Sequence, residues 1–115
     1  MAREKLDAVT LQPSQLTWAH RARIAGLAAK YRLPSMGPVP WYVEAGGLLA
    51  YGGKDSDRFE RAAHYVAKIL NGANPADLPI EQLTRFELQI NLKTARTLGI
   101  TIPASLLVRA DLVLE

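Results

Sequence analysis

The side chains in this chain that could do chemistry are few, and they do not cluster. His20 and His64 stand on separate predicted helices, and neither has a histidine or carboxylate three or four residues on, the spacing of a metal-ligand pair. Glu60 lies four residues before His64, but a lone carboxylate beside a histidine on a solvated helix face reads as surface electrostatics. Cysteine is absent, which excludes disulfides, thiol nucleophiles and thiolate metal sites. Ser14, Ser35, Ser56 and Ser105 have no Gly-x-Ser-x-Gly elbow around them and read as caps or loop residues. Gly53-Lys54 resembles the end of a phosphate loop, yet Leu48 replaces its first glycine and Asp55 its hydroxyl residue. No Gly-x-Gly-x-x-Gly follows the first apolar run, so dinucleotide binding is not indicated either. Asp55 and Asp57 are the carboxylates nearest a predicted strand end, and they read as helix N-caps, not as a magnesium-dependent phosphoacceptor cluster. Arg21, Arg23 and Arg85 lack interleaved exposed aromatics and read as solvated faces, not as a nucleic-acid surface. The expectation is a protein that is not an enzyme, with no catalytic residues, no metal and no cofactor.

The elements that would position any remaining site are those of a small globular chain. Its 115 residues suffice for one domain or part of a larger one, and 49% hydrophobic with 22% charged residues excludes a disordered chain. The net charge of +3 is scattered along the sequence. No apolar run approaches the roughly 20 residues needed to span a bilayer. Met1-Ala2-Arg3-Glu4-Lys5 does not lead into the apolar core of a signal peptide, so the chain as it stands is expected in the cytoplasm.

Leu6 to Leu11 reads as a short buried strand ending at Gln12-Pro13. Ser14 then caps a helix whose apolar stripe is Leu16, His20, Ile24, Leu27, Ala28 and Tyr31, stopped by Pro34. A short extended piece at Leu33 to Met36 precedes the breaker Gly37-Pro38-Val39-Pro40 and a helical turn from Trp41 to Ala45. Leu48 to Tyr51 is a continuous apolar run, as in parallel strands covered on both faces. The clearest helix follows: Asp57 and Glu60 form a capping-box pattern, Phe59, Ala62, Ala63, Val66, Ile69 and Leu70 form its stripe, and Gly72 ends it. Phe86, Leu88 and Ile90 alternate as a half-exposed strand, Asn91 caps the next helix, and Pro103 opens a last one through Ala110.

Strands alternating with helices predict an α/β fold, an open and mostly parallel sheet flanked by helices. Residues 1–115 read as a single α/β domain, and the small number of strands suggests an incomplete lobe. Ligands of such sheets lie beyond the carboxyl ends of the strands, beside helix N-termini that favour anionic groups. Those places hold Gln12 and Ser14, Met36, and Tyr51 with Gly52, the candidate ligand-binding residues. Trp41-Tyr42 either lines a cleft or plugs the sheet end, and composition leaves both readings open.

Two long stretches carry a resemblance. Val43-Glu44-Ala45-Gly46-Gly47-Leu48-Leu49-Ala50-Tyr51-Gly52, then Ala62-Ala63-His64-Tyr65-Val66-Ala67-Lys68-Ile69-Leu70-Asn71-Gly72-Ala73-Asn74-Pro75-Ala76-Asp77-Leu78-Pro79-Ile80-Glu81-Gln82, resemble the C-terminal part of one family of ABC transporter substrate-binding proteins. Phe86-Glu87-Leu88, Asn91-Leu92-Lys93-Thr94-Ala95, Leu98-Gly99, Thr101-Ile102-Pro103 and Ser105-Leu106-Leu107 resemble its closing segment. The resemblance implies part of the C-terminal lobe of a type I periplasmic binding protein, in which two α/β lobes close on a small organic or amino-acid-like ligand. It further implies a periplasmic location for the full-length family and delivery to an ABC permease. Such proteins are normally much longer, with an export signal and a first lobe ahead of the matching region, so the expectation is a C-terminal fragment. A fragment of this kind is expected to bind its ligand weakly and to self-associate through exposed edges. The alternative is a small α/β protein-interaction module with no solute binding of its own.

Overall fold

A computed structural model describes residues 6–115. The export reading of Met1 to Lys5 lies outside the described residues. The expected α/β class holds: five strands form one sheet in the order β1-β2-β3-β4-β5. These are β1 (Val9–Thr10), β2 (Ser35–Gly37), β3 (Leu49–Gly53), β4 (Phe86–Asn91) and β5 (Leu112–Leu114). Neighbouring strands are parallel except β3 and β4, which pair antiparallel with Ala50 opposite Gln89 and Tyr51 opposite Leu88. The helices are α1 (Gln15–Ala19), α2 (Arg21–Lys30), α3 (Trp41–Glu44), α4 (Asp55–Leu70), α5 (Leu92–Leu98) and α6 (Ala104–Leu107).

Several local expectations change. The first strand shrinks to two residues, with Leu6 and Ala8 exposed, because only Val9 and Thr10 find ladder partners on β2. The single helix foreseen from Ser14 to Tyr31 breaks at His20, which ends α1 and starts α2. Its buried face is the small pair Ala25 and Ala28, while Leu16, Leu27 and Tyr31 stay exposed. Asp57 is no cap: α4 begins at Asp55 behind Lys54, so Asp55 and Asp57 both occupy the first turn, where the helix dipole favours carboxylates. β5 was not foreseen, being three residues long and half exposed.

The core lies between α3 and the sheet. Tyr42, Val43 and Ile90 are its largest fully buried side chains. Around Tyr42 the backbone comes so close that a Cβ on Gly37 or Gly47 would overlap its ring, which is why glycine stands at both positions. The Tyr42 hydroxyl donates to Ser35 Oγ at 2.8 Å, satisfying a buried pair. Asn91 ties the layers together: its Nδ2 donates to the Val43 carbonyl at 3.3 Å, and its Oδ1 accepts the Thr94 N–H at 2.9 Å to cap α5.

α4 stands apart from this core. None of its residues is buried, and Phe59 and Leu70 of the foreseen stripe are 75% and 81% exposed. With the returning chain it forms an arm held by the Arg61–Glu81 pair at 2.7 Å, the Arg85–Asp57 pair at 3.9 Å and the Tyr65 hydroxyl on the Pro79 carbonyl. The radius of gyration is 17.6 Å, well above the roughly 13 Å of a compact chain this long. Replacing both Phe59 and Leu70 by Gln, a good helix former, should therefore shift stability by no more than about 0.5 kcal/mol per site while cutting hydrophobic-dye binding several-fold. An unfolding free energy lowered by about 3 kcal/mol would instead mean that this face is packed.

Candidate functional site

The carboxyl ends of β1, β2 and β3 share one edge of the sheet, and the amino ends of the oppositely running β4 and β5 join them there. Beyond β1, the Leu11 N–H donates to the Met36 carbonyl at 2.9 Å, which holds the Gln12 turn against the β2 end. Ser14 is the N-cap of α1: its Oγ accepts the Thr17 N–H at 3.1 Å, and its own N–H donates to Thr17 Oγ1 at 3.0 Å. Thr17 Oγ1 also donates to the Gln12 carbonyl at 2.9 Å, so Gln12 and Ser14 belong to one ordered turn. Met36 sits half-buried on β2 between Thr10 and Leu49.

Gly52 touches the far side of the same edge. A Cβ there would collide with the Pro38 carbonyl oxygen, so the chain leaving β2 crosses directly over β3. Tyr51 points to the opposite sheet face, half exposed, and stacks on Phe86 with ring centroids 5.6 Å apart and planes at 23°. The structure thus joins Gln12, Ser14 and Met36 through the β1–β2 ends and sets Gly52 beside Pro38, while Tyr51 is held apart with Phe86.

A cavity of about 560 Å³ opens at this edge toward β4 and β5, and none of those five residues lines it. Trp41 and Glu44 of α3, Lys54, Glu87 and Gln89 of β4, and Asp111 are among the residues that line it. Trp41 and Tyr42 divide the roles left open for the pair: Trp41 lines the cavity and Tyr42, edge-on to it at 6.4 Å, fills the core. Lys54 Nζ is 3.2 Å from Glu87 Oε1. Asp111 Oδ2 accepts the Leu88 N–H at 2.7 Å, which fixes the start of β5 against β4. The alternation of β4 could have placed Glu87 and Gln89 on one face from sequence alone; Asp111 joins them only through the unforeseen β5 pairing.

The electrostatics depart from one expectation. α1 has only five residues, and the first turn of α4 already carries Asp55 and Asp57, so neither helix start is free to favour an anionic ligand group. Burial raises the Tyr42 hydroxyl above its usual range, a shift the Ser35 hydrogen bond partly offsets. Among the described residues no three His, Asp or Glu side chains converge on a metal position.

A family model described as ABC transporter substrate binding protein matches residues 1–114. Among solved structures, a conserved domain protein from Vibrio cholerae O1 biovar El Tor strain N16961 superposes with a TM-score of 0.89 at 30% identity, over 96% of this chain and 37% of that one. An ABC domain from Streptococcus pneumoniae in complex with L-Trp gives a TM-score of 0.87 at 28% identity, again over 96% and 37%. A ligand-free, open substrate binding protein with adhesive properties from Clostridium difficile, at 20% identity and a TM-score of 0.68, shares the fold. The chain therefore spans 37% of the length of each of these proteins. No curated relative matches it. With the family model matched from residue 1 to residue 114, the chain belongs to the ABC transporter substrate binding protein family.

Proposed function

We propose that this chain contributes one wall of a binding site for a small organic, amino-acid-like solute, within a component that delivers its cargo to an ABC permease. The other wall comes from polypeptide outside these 115 residues, and the assembled protein works in the periplasm. The observation that carries this reading is the solved neighbour in complex with L-Trp, whose fold this chain shares at a TM-score of 0.87. The uncovered α4 face supports it, since a second lobe would give Phe59, Val66 and Leu70 the apolar partners that the described residues do not provide. The solute is held and released unchanged, which requires neither metal nor cofactor.

The proposed wall is Gln12, Ser14, Met36 and Gly52 at the carboxyl ends of β1 to β3, with Tyr51 offering its ring from the other face of the same sheet end. Titrating the isotope-labelled chain with L-Trp, L-Tyr and L-Leu should move the amide signals of these residues before any on α5 or α6, with half-saturation at about millimolar concentration. A spectrum that stays unchanged to about 10 mM, or changes only on α4, would favour the interaction module without solute binding.

A further inference from the structure

We propose that the groove between β1 and α2 docks an extended acidic segment of a partner protein, which adds to the sheet as a sixth strand beyond β1. The groove encloses about 470 Å³, and apart from the Tyr31 hydroxyl every side chain that lines it is apolar. Val9 and Leu11 are its strand side, and Ile24, Leu27, Ala28 and Tyr31, spaced as one helix face, are its helix side. Among the described strands β1 stands at the end of the sheet and pairs with β2 alone. The Val9 N–H donates to the Pro34 carbonyl and the Leu11 N–H to the Met36 carbonyl, both at 2.9 Å. Alternation along the strand therefore turns the N–H and carbonyl of Thr10, an exposed residue, to the outer edge. An open backbone edge beside an apolar groove is what strand addition uses, the edge for main-chain hydrogen bonds and the groove for alternate side chains.

Charge selects the occupant. Between Asp7 and Glu44 the chain carries Arg21, Arg23, Lys30 and Arg32 and no aspartate or glutamate, and none of these four cations has an ion-pair partner among the described residues. Arg23 and Lys30 are exposed and stand four residues before and three after Leu27, on the flank of α2 turned away from the buried Ala25. That flank is the outer rim of the groove, and Leu27, 44% exposed, lies on it between the two charges. Along the helix axis Arg23 and Lys30 are roughly 10 Å apart, close to the roughly 13 Å between residues i and i+4 of a strand. The matching segment thus has carboxylates at i and i+4 and an apolar side chain at i+2 above Leu27. A second copy paired edge to edge would bring the same cations against these and is disfavoured. Met1 to Lys5, with Arg3 and Lys5 against Glu4, supplies no net negative charge either.

The groove shares no residue with the proposed solute wall and stands whether or not that wall binds an amino acid. The probe is the peptide acetyl-Thr-Glu-Thr-Leu-Thr-Glu-Thr-amide, titrated into the whole chain while backbone amides are followed by NMR. Its counterparts carry lysine for both glutamates, or serine for the leucine. Saturable shifts at Thr10, Leu11, Leu27 and Tyr31 are expected with the first peptide, about tenfold weaker binding with the serine form, and none with the lysine form. Hydrogen exchange at the Thr10 amide should slow about tenfold at saturation, an effect that attraction between charges alone does not produce. Arg23→Glu combined with Lys30→Glu, both at exposed positions, should abolish binding of the glutamate peptide and confer it on the lysine peptide. Leu27→Ser should weaken binding about fivefold, and signals outside the groove report whether each variant is folded. No response up to about 5 mM, equal binding of the lysine peptide to the unaltered chain, or an unchanged Thr10 exchange rate would overturn the proposal. So would larger shifts at Leu27 and Tyr31 with phosphatidylglycerol vesicles than with the peptide, which would assign this face to a lipid surface.

Discussion

Tyr42→Ala should leave no cooperative melting transition at 25 °C. The ring is 0% exposed and fills the space between α3, Gly37 and Gly47, so its removal costs about 3–5 kcal/mol in lost transfer energy and residual cavity. Ser35, 4% exposed, would also lose the hydroxyl that donates to it, adding about 1 kcal/mol or more. Against this stands a total that for ordinary domains is about 5–15 kcal/mol. This chain falls toward the lower end, because Tyr42, Ile90 and Val43 are its only large side chains below 2% exposure among the described residues, while α4 buries none. Tyr42→Phe keeps the ring and should lose only about 0.5–1.5 kcal/mol, so the pair of variants separates packing from hydrogen bonding.

The same hydroxyl makes a pH prediction. Because burial raises its pKa in the folded chain above the ordinary value of 10.0, the unfolded chain ionises first as the pH climbs. The stabilisation is fully present below about pH 10 and is lost as the pH rises through the folded value. Wild-type stability measured by urea unfolding should therefore fall more steeply between about pH 9 and pH 11 than that of Tyr42→Phe. Equal slopes would show that Tyr42 is not the group responsible.

How much of this was legible in the residues depends on which question is asked of them. Leu48 to Tyr51 and the Asp55–Leu70 region declare strand and helix by local pattern, and both elements form, with Gly72 in the expected left-handed position at φ 99°. Periodicity, however, tells which side chains share a face and not what covers that face. The α4 residues from Phe59 to Leu70 declare one apolar stripe, and that stripe is solvent-facing within this chain. His20 breaks a helix that the spacing carried straight through, and Leu112 to Leu114 was too short to declare itself until Gln89 and Ile90 offered a ladder. The sheet edge with Gln12, Ser14, Met36 and Gly52 follows from the topology the pattern implies. The acidic cavity does not, since Trp41, Glu87 and Asp111 meet only through tertiary pairing.

Joining these residues to the rest of a longer relative, such as the Vibrio cholerae protein of which they match 37%, so that a second lobe faces the wall, should raise solute affinity by orders of magnitude over the chain alone. Gln12, Ser14 and Tyr51 are exposed, so a solute resting on them is covered from one side only. An aromatic contact with Tyr51 supplies about 0.5–1.5 kcal/mol beyond area burial. A few exposed polar contacts add about 1 kcal/mol each, which scarcely offsets the roughly 4–15 kcal/mol of translational and rotational freedom lost on association. Millimolar binding or weaker is the result for one wall. A second wall adds contacts to a solute already immobilised, so nearly all of their energy appears as affinity, and each 1.4 kcal/mol is about tenfold. In the two-lobed form Tyr51→Ala should lower affinity severalfold or more, because the stack on Phe86 holds its ring in place before the solute arrives. Ser14→Ala is the less clean test, since the same Oγ that would meet the solute also caps α1 and its loss weakens that turn by about 0.5–2 kcal/mol. Calorimetry showing micromolar binding by the chain alone would overturn the one-wall argument, and unchanged affinity in Tyr51→Ala would remove that ring from the wall while leaving the family membership in place.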